Sequence, residues 1–227
     1  MFEPQMEIYP GVHQIPGIIA NVYLIVDPNG LVLIDVGLPR NEGRILKYIK
    51  GLGHSPEDIK NIFITHADHD HYGSLAKLVT ITKAISSSSA IEAEAMLNGT
   101  SSRPLKIIGL MAILFNAIQP FFRSPVIAVD HTLTDGQILP ILGGLQVVAT
   151  PGHAAGHLSY YLPSHRVLFV GDSLQVKNGM LVASSGANTL DEQQAIESLK
   201  RQASFGVEIV CPGHGPVIFN AANRFKI

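Results

Sequence analysis

Four short apolar runs in this chain each end in a tight cluster of His, Asp, Gly or Pro, and that arrangement limits the architectures open to it. Residues 62–64 lead into Thr65-His66-Ala67-Asp68-His69-Asp70-His71, and 145–150 into Pro151-Gly152-His153. Residues 167–170 lead into Gly171-Asp172, and 207–210 into Cys211-Pro212-Gly213-His214-Gly215. Short apolar runs bounded by turn residues read as buried strands, and strand-end loops are where α/β architectures usually place chemistry. Elsewhere, 22–26 and 31–36 are β-branched runs separated by Asp27-Pro28-Asn29-Gly30, which predicts a hairpin. Apolar residues at 45, 46, 49 and 52 within 41–52, closed by Gly53, predict a helix. Ser55 before Pro56 reads as another helix start, and 192–202 as a helix. Residues 159–162 are expected to pair with 167–170. The mixture is that of an α/β fold.

With 227 residues, 46% of them hydrophobic and only 15% charged, the chain can bury a sizeable core and is unlike a disordered one. A net charge of −2 and no basic runs argue against a nucleic-acid partner. The single Cys211 excludes a disulfide framework and a cysteine-based zinc finger. Residues 1–7 are acidic and lack a charged-then-apolar pattern, so no secretory segment is expected and a cytoplasmic protein is the default. The most apolar stretch, 107–122, falls short of the roughly 20 residues needed to span a bilayer. Residues 90–122 read as mostly helical, broken at 99–104, and as an insertion lying over the strand-end loops.

In an extended segment, residues i and i+2 project to the same side. His66, Asp68 and Asp70 are therefore expected to face one pocket, with a turn at Asp70-His71 bringing His71 in and His69 facing away. Imidazole and carboxylate donors without thiolate suit zinc, iron or manganese. Glycines at 152, 213 and 215 let the backbone approach a crowded centre. His13, His54, His131 and His165 stand outside such clusters and read as ordinary core or surface residues. His157 is open between a group supporting the centre and plain packing, and Cys211 reads as a buried structural thiol.

Taken in order, these motifs resemble the signature of the metallo-β-lactamase-fold hydrolases: His-x-His-x-Asp-His, then Pro-Gly-His, Gly-Asp and Pro-Gly-His-Gly. The matching segments are 65–73, 150–157, 170–173 and 211–215, and the opening strands with Asn21, Tyr23 and Leu33-Ile34-Asp35-Val36-Gly37 are similar too. The likeness covers nearly the whole chain apart from 90–125, so residues 1–227 are expected to form one domain. The resemblance implies an αββα sandwich carrying two divalent metal ions. Metal one would take His66, Asp68 and His153, metal two would take Asp70, His71 and His214, and Asp172 would bridge them. Zinc is the expected metal, with iron or manganese as alternatives. The family chemistry is hydrolysis by a hydroxide held between the metals, with Asp70 orienting the nucleophile and shuttling its proton. Asp68 stands where the family has its second histidine, as an acidic residue does in the diiron relatives. It removes one unit of positive charge from the centre, which predicts a weaker Lewis acid, and as a harder ligand than imidazole it tilts metal one towards iron or manganese. A rival register would use His69 and His71.

The resulting expectation is hydrolysis of a small ester, thioester or lactone, with the particular small-molecule substrate left open. The alternative is an iron-dependent redox enzyme of the same fold, similar to the sulfur dioxygenases. The apolar surface of Ile107, Ile108, Leu110, Met111, Leu114, Phe115 and Ile118 has three readings: a lid over an apolar substrate, a homodimer interface through 105–122, or ordinary core.

Overall fold

The turn at 27–30 closes a hairpin between β3 (Val22–Asp27) and β4 (Gly30–Ile34), with Asp27 opposite Gly30. Gly30 has φ +132°, and a Cβ there would come within 2.8 Å of the Asp58 carbonyl, so this corner needs glycine. The computed structural model describes residues 6–103 and 126–227. Within them, β1 (Met6–Tyr9) and β2 (Val12–Ile15) extend the hairpin antiparallel on one side. On the other side β5 (Ile59–Phe63), β6 (Ile85–Ser89) and β7 (His131–Leu133) add in parallel. The described strands of this sheet run in the order β1-β2-β3-β4-β5-β6-β7.

A second sheet is built from β8 (Ile138–Leu139), β9 (Leu145–Ala149), β10 (Leu158–Leu162), β11 (Val167–Gly171), β14 (Ile209–Pro212) and β15 (Ile218–Phe219), in the order β15-β14-β11-β10-β9-β8. Its β11 and β14 pair in parallel, while β9, β10 and β11 follow one another antiparallel. Between β11 and β14 in sequence lies a separate ribbon of β12 (Leu174–Lys177) and β13 (Met180–Ala183).

Covering on both sides explains why these strands are apolar on both faces. Tyr23, Ile25, Val32, Ile34 and Phe63 point inward and meet Val147, Tyr160, Leu162, Phe169 and Cys211 of the other sheet. Phe63 stacks on Tyr160 with ring centroids 5.6 Å apart, and Tyr23 meets Phe169 at 5.4 Å. The intervening residues Val22, Leu24, Leu31 and Leu33 face outward under the helices. They are covered by α1 (Glu42–Gly51), α3 (Leu75–Thr82) and α4 (Ala90–Asn98). The short α2 (His69–Tyr72) lies just before α3. On the far side, α5 (Glu192–Ala203) covers Val148, Leu168, Val170 and Val210 through Leu199. The layers are helix, sheet, sheet, helix, the αββα order expected. Among the described residues no helix is long and apolar enough to cross a membrane.

Three local expectations shift. The run 31–36 stops being strand at Ile34, because Asp35 turns into the left-handed region at φ 57°. The strand expected at 207–210 is Ile209–Pro212, set by parallel pairing of Ile209 with Val167. Ser55-Pro56 opens only a single 3-10 turn, Pro56–Asp58, because β5 begins at the next residue. The helix expected from residue 90 is α4, which ends at Asn98. The apolar run 107–122, with its lid, interface and core readings, lies outside the described residues.

Phe169 is fully buried between the sheets. Replacing it with alanine removes a large side chain whose volume the flanking strands cannot fill, so Phe169→Ala is expected to cost about 3–5 kcal/mol in urea unfolding.

Candidate metal centre

The strand ends converge. Beyond β5 the chain runs through Thr65, His66 and Ala67 to an extended Asp68 (ψ 141°), and α2 begins at His69. This corrects the expected alternation. His66 and Asp68 reach the same side ahead of the helix, whereas Asp70 and His71 arrive on a helical turn, closed by a 2.9 Å bond from the His71 N–H to the Asp68 carbonyl. His69 is exposed, as expected, and joins none of the clusters below.

Three overlapping groups result, in each of which the donor atoms lie within 4.8 Å of one another: His66, Asp68 and His153; Asp70, His71 and His214; and His66, His71 and Asp172. Asp68 Oδ2 lies 3.5 Å from His66 Nε2 and 3.4 Å from His153 Nε2. Asp172 Oδ1 is 3.4 Å from His71 Nε2, and its Oδ2 is 3.8 Å from His153 Nε2 and 3.5 Å from His214 Nε2. Asp70 Oδ2 is 3.3 Å from His214 Nε2. His66 Nε2 and His71 Nε2 are buried and make no hydrogen bond, despite the carboxylates beside them. Orphaned buried nitrogens are costly. Two of them beside carboxylates, in a donor set of nitrogen and oxygen alone, fit divalent metal ions.

Three of the opposite ring nitrogens are engaged. His71 Nδ1 is 2.8 Å from Asp35 Oδ2, His66 Nδ1 is 2.9 Å from Thr65 Oγ1, and His153 Nδ1 is 3.2 Å from Ser184 Oγ. Asp35 also accepts the Thr65 N–H at 2.8 Å. His157 is fully buried, sits 2.9 Å from Thr150 Oγ1 and accepts the Asp172 N–H at 3.1 Å. Its ring stacks on His66, with centroids 5.0 Å apart. Of the two readings of His157, support of the cluster fits these bonds. The turn carrying His214 is held from the first sheet. Asn21 Nδ2 donates to the carbonyls of Pro212 (2.9 Å) and Gly215 (2.8 Å), the Asn21 N–H donates to Gly213, and the Tyr23 hydroxyl donates to Pro212 (2.7 Å). A Cβ on Gly213 would run into Asp172 Oδ1 and lie 2.7 Å from the His71 ring, so this close approach requires glycine.

Burial opposes ionisation of Asp68, but His153, His66 and the Arg103 charge outweigh it and hold the carboxyl well below the usual range. Asp70 is likewise penalised by burial, yet His214 and His71 bring it down to about 2. Burial also opposes ionisation of Asp172, and the neighbouring histidines, His71 foremost, still depress it strongly. Burial lowers His71, but Asp172 and Asp35 raise it well above its ordinary value. His214 is raised chiefly by Asp70. Burial pushes the Cys211 thiol up, in keeping with an inert core residue.

Several participants escape a sequence reading. Asp35, Ser184, Glu92, Ser101 and Arg103 reach the cluster from other elements. Of these Asp35 carries a signal, since it too follows an apolar strand and lies in the 33–37 stretch that resembles the family, though the sequence alone assigns it no role. His13, His54 and His165 lie elsewhere, against Tyr48, Asp58 and Tyr9.

Fold and donor clusters together define a class. The sequence matches the family model of the metallo-beta-lactamase superfamily over residues 15–214, and the chain belongs to that superfamily of metal-dependent hydrolases. It is 28% identical to the probable metallo-hydrolase YflN of Bacillus subtilis, over 92% of this chain and 85% of that protein. It is 26% identical to an atrochrysone carboxyl ACP thioesterase of Aspergillus fumigatus, over 96% of this chain and 56% of the thioesterase. Among solved structures, a metallo-beta-lactamase family protein of Thermus thermophilus superposes with a TM-score of 0.73 at 26% identity, covering 96% of this chain and 78% of the other.

Burial, with the charges of His66 and His153, holds His157 well below its ordinary 6.5. As pH falls below 6.5 the unfolded chain takes up a proton at this site that the folded protein refuses, so stability is lost on the acid side. Removing the imidazole removes that slope. In urea unfolding of metal-free protein, the stability advantage of wild type over His157→Gln is expected to shrink by about 1.4 kcal/mol for each pH unit below that point.

Proposed function

We propose that the protein is a hydrolase of small esters, thioesters or lactones that works with two divalent metal ions. The observation that carries this reading is the overlap of the three donor groups, which are linked through His66 and His71 and contain the two orphaned Nε2 atoms. His66, Asp68 and His153 would hold one ion, Asp70, His71 and His214 the other, with Asp172 between them. Bound there, such ions supply Lewis acidity towards a carbonyl and a water made nucleophilic at neutral pH.

The chain's own groups do the rest. Asp70, at about 2, is ionised throughout the neutral range. It accepts a hydrogen bond from the attacking water, orients it, and is the first station for its proton. The Nδ1 contacts to Asp35, Thr65 and Ser184 fix the rings of His71, His66 and His153 with Nε2 towards the cluster. His214, with a side chain 43% exposed, marks the open side by which a substrate reaches the cluster. Support for acyl substrates comes from the resemblance to a thioesterase along nearly the whole chain. Zinc is the metal proposed, with iron or manganese the competitors that Asp68 favours.

The test joins metal analysis of the purified protein to a panel of thioesters, esters, lactones and phosphoesters. His66→Ala and Asp172→Ala are expected to lose bound metal and turnover, while His165→Ala, away from the cluster against Tyr9, keeps both. Two metals and full activity in Asp172→Ala would overturn the two-metal reading. Asp35→Asn, which alters the partner of His71 Nδ1 and Thr65, is expected to cost about 10–100-fold in metal affinity.

A further inference from the structure

Shortly after α4, Ser101 and Arg103 hold the loop that carries His66 and Asp68, and Ser102 between them holds Glu92 of the helix. The Ser101 hydroxyl donates to Asp68 Oδ1 at 2.9 Å, and the Ser102 hydroxyl donates to Glu92 Oε1 at 2.6 Å. Arg103 donates to Asp68 Oδ2 through Nε at 3.1 Å and through Nη2. Glu92 is fully buried and accepts the N–H of Ala67 (2.7 Å) and of Gly156 (2.8 Å), so it fixes the backbone on both sides of the His66, Asp68 and His153 group. That much is scaffolding. Arg103 is different because it brings a permanent charge.

The oxygen it holds is Asp68 Oδ2, the same atom that lies beside His66 Nε2 and His153 Nε2. The pair is largely desolvated, with side-chain exposures of 12% for Arg103 and 10% for Asp68. Among the described residues the hydrogen bonds of the guanidinium all go to Asp68, and Nη1 is buried without a partner. The other carboxylates have a different environment: Asp70 and Asp172 make their ion pairs with His71, His153 and His214. One carboxylate thus faces a full, fixed positive charge and the others face imidazoles. A divalent cation entering the His66, Asp68 and His153 group must share Asp68 Oδ2 with Arg103 and stand close to its charge, at low dielectric, where like charges repel strongly.

We propose that Arg103 is a resident cation of the cluster: it neutralises Asp68 in the metal-free protein and sets the metal affinity of the His66, Asp68 and His153 group below that of the Asp70, His71 and His214 group, so that the two groups fill in sequence. The proposal rests on the reading of these residues as metal ligands. It also revises the charge argument drawn from sequence, since Asp68 with Arg103 carries the same net charge as the neutral histidine it replaces.

The experiment is zinc titration of full-length, metal-stripped protein in competition with a chromogenic chelator. Wild type is expected to show two binding steps, the weaker lost in Asp68→Asn and the tighter lost in His214→Ala. Arg103→Gln is expected to tighten the weaker step about tenfold or more and to lower the melting temperature of the metal-free form. Arg103→Lys keeps the charge and is expected to leave the weaker step weak. Failure of wild type to take up zinc would overturn the metal reading and this inference together. Two zinc ions bound in wild type, with Arg103→Gln weakening or not changing the weaker step, would overturn the inference alone by making Arg103 a mere positioning group. If Arg103→Gln does not fold, the remaining steps stay decisive: loss of the tighter step in Asp68→Asn would reverse the proposed order and overturn it.

Discussion

The contact on which the rest of the cluster depends is the one made by Asp35. Alternation along β4 would carry its side chain outward with Leu31 and Leu33, under the helices. The left-handed turn at φ 57° redirects it to the strand end, where it is 2% exposed. A non-glycine residue in that region costs of order 1–3 kcal/mol, and less for Asp than for most residues. The offset is a set of bonds from the Thr65 N–H, the Thr65 hydroxyl and His71 Nδ1. These join the end of β4 to both the extended and the helical parts of the 65–71 segment. With Nδ1 of His71 engaged by Asp35, Nε2 is the ring nitrogen turned into the cluster.

The two sheets meet around this point. His66, Asp68, Asp70 and His71 follow β5 of the first sheet, while His153, Asp172 and His214 follow β9, β11 and β14 of the second. Each three-residue donor group takes one member from the second sheet, so a shift of one sheet against the other would break all three at once. The seam is closed by apolar pairs such as Phe63 on Tyr160, and by Tyr23 reaching across to Pro212. Geometry at the cluster is therefore inherited from sandwich packing.

Much of this was legible in the sequence, for identifiable reasons. Strand-end motifs carry both a backbone signal and a chemical one, so the seven cluster residues and the layer order could be read from local pattern and family resemblance. Where the backbone changed period, local pattern failed. Alternation works to Asp68 and stops at His69, because nothing in Asp-His-Asp-His distinguishes an extended segment from the first turn of α2. Asp35 stopped a strand that its β-branched neighbours would have continued. Residues that act across long sequence separations left no local trace. Glu92 looks like any polar residue on a helix, and Arg103 like any charge in a loop, until folding sets them against Ala67 and Asp68.

The Asn21 clamp on the 212–215 turn governs how the exposed side of the cluster can move. Hydrogen bonds from Asn21 and Tyr23 pin the carbonyls on either side of His214, while its imidazole remains partly in solvent. Backbone excursion of this turn would have to break these bonds. The most exposed member of the cluster is thus anchored through its backbone to the first sheet, and its reach towards Asp70 and Asp172 is set by side-chain torsions alone.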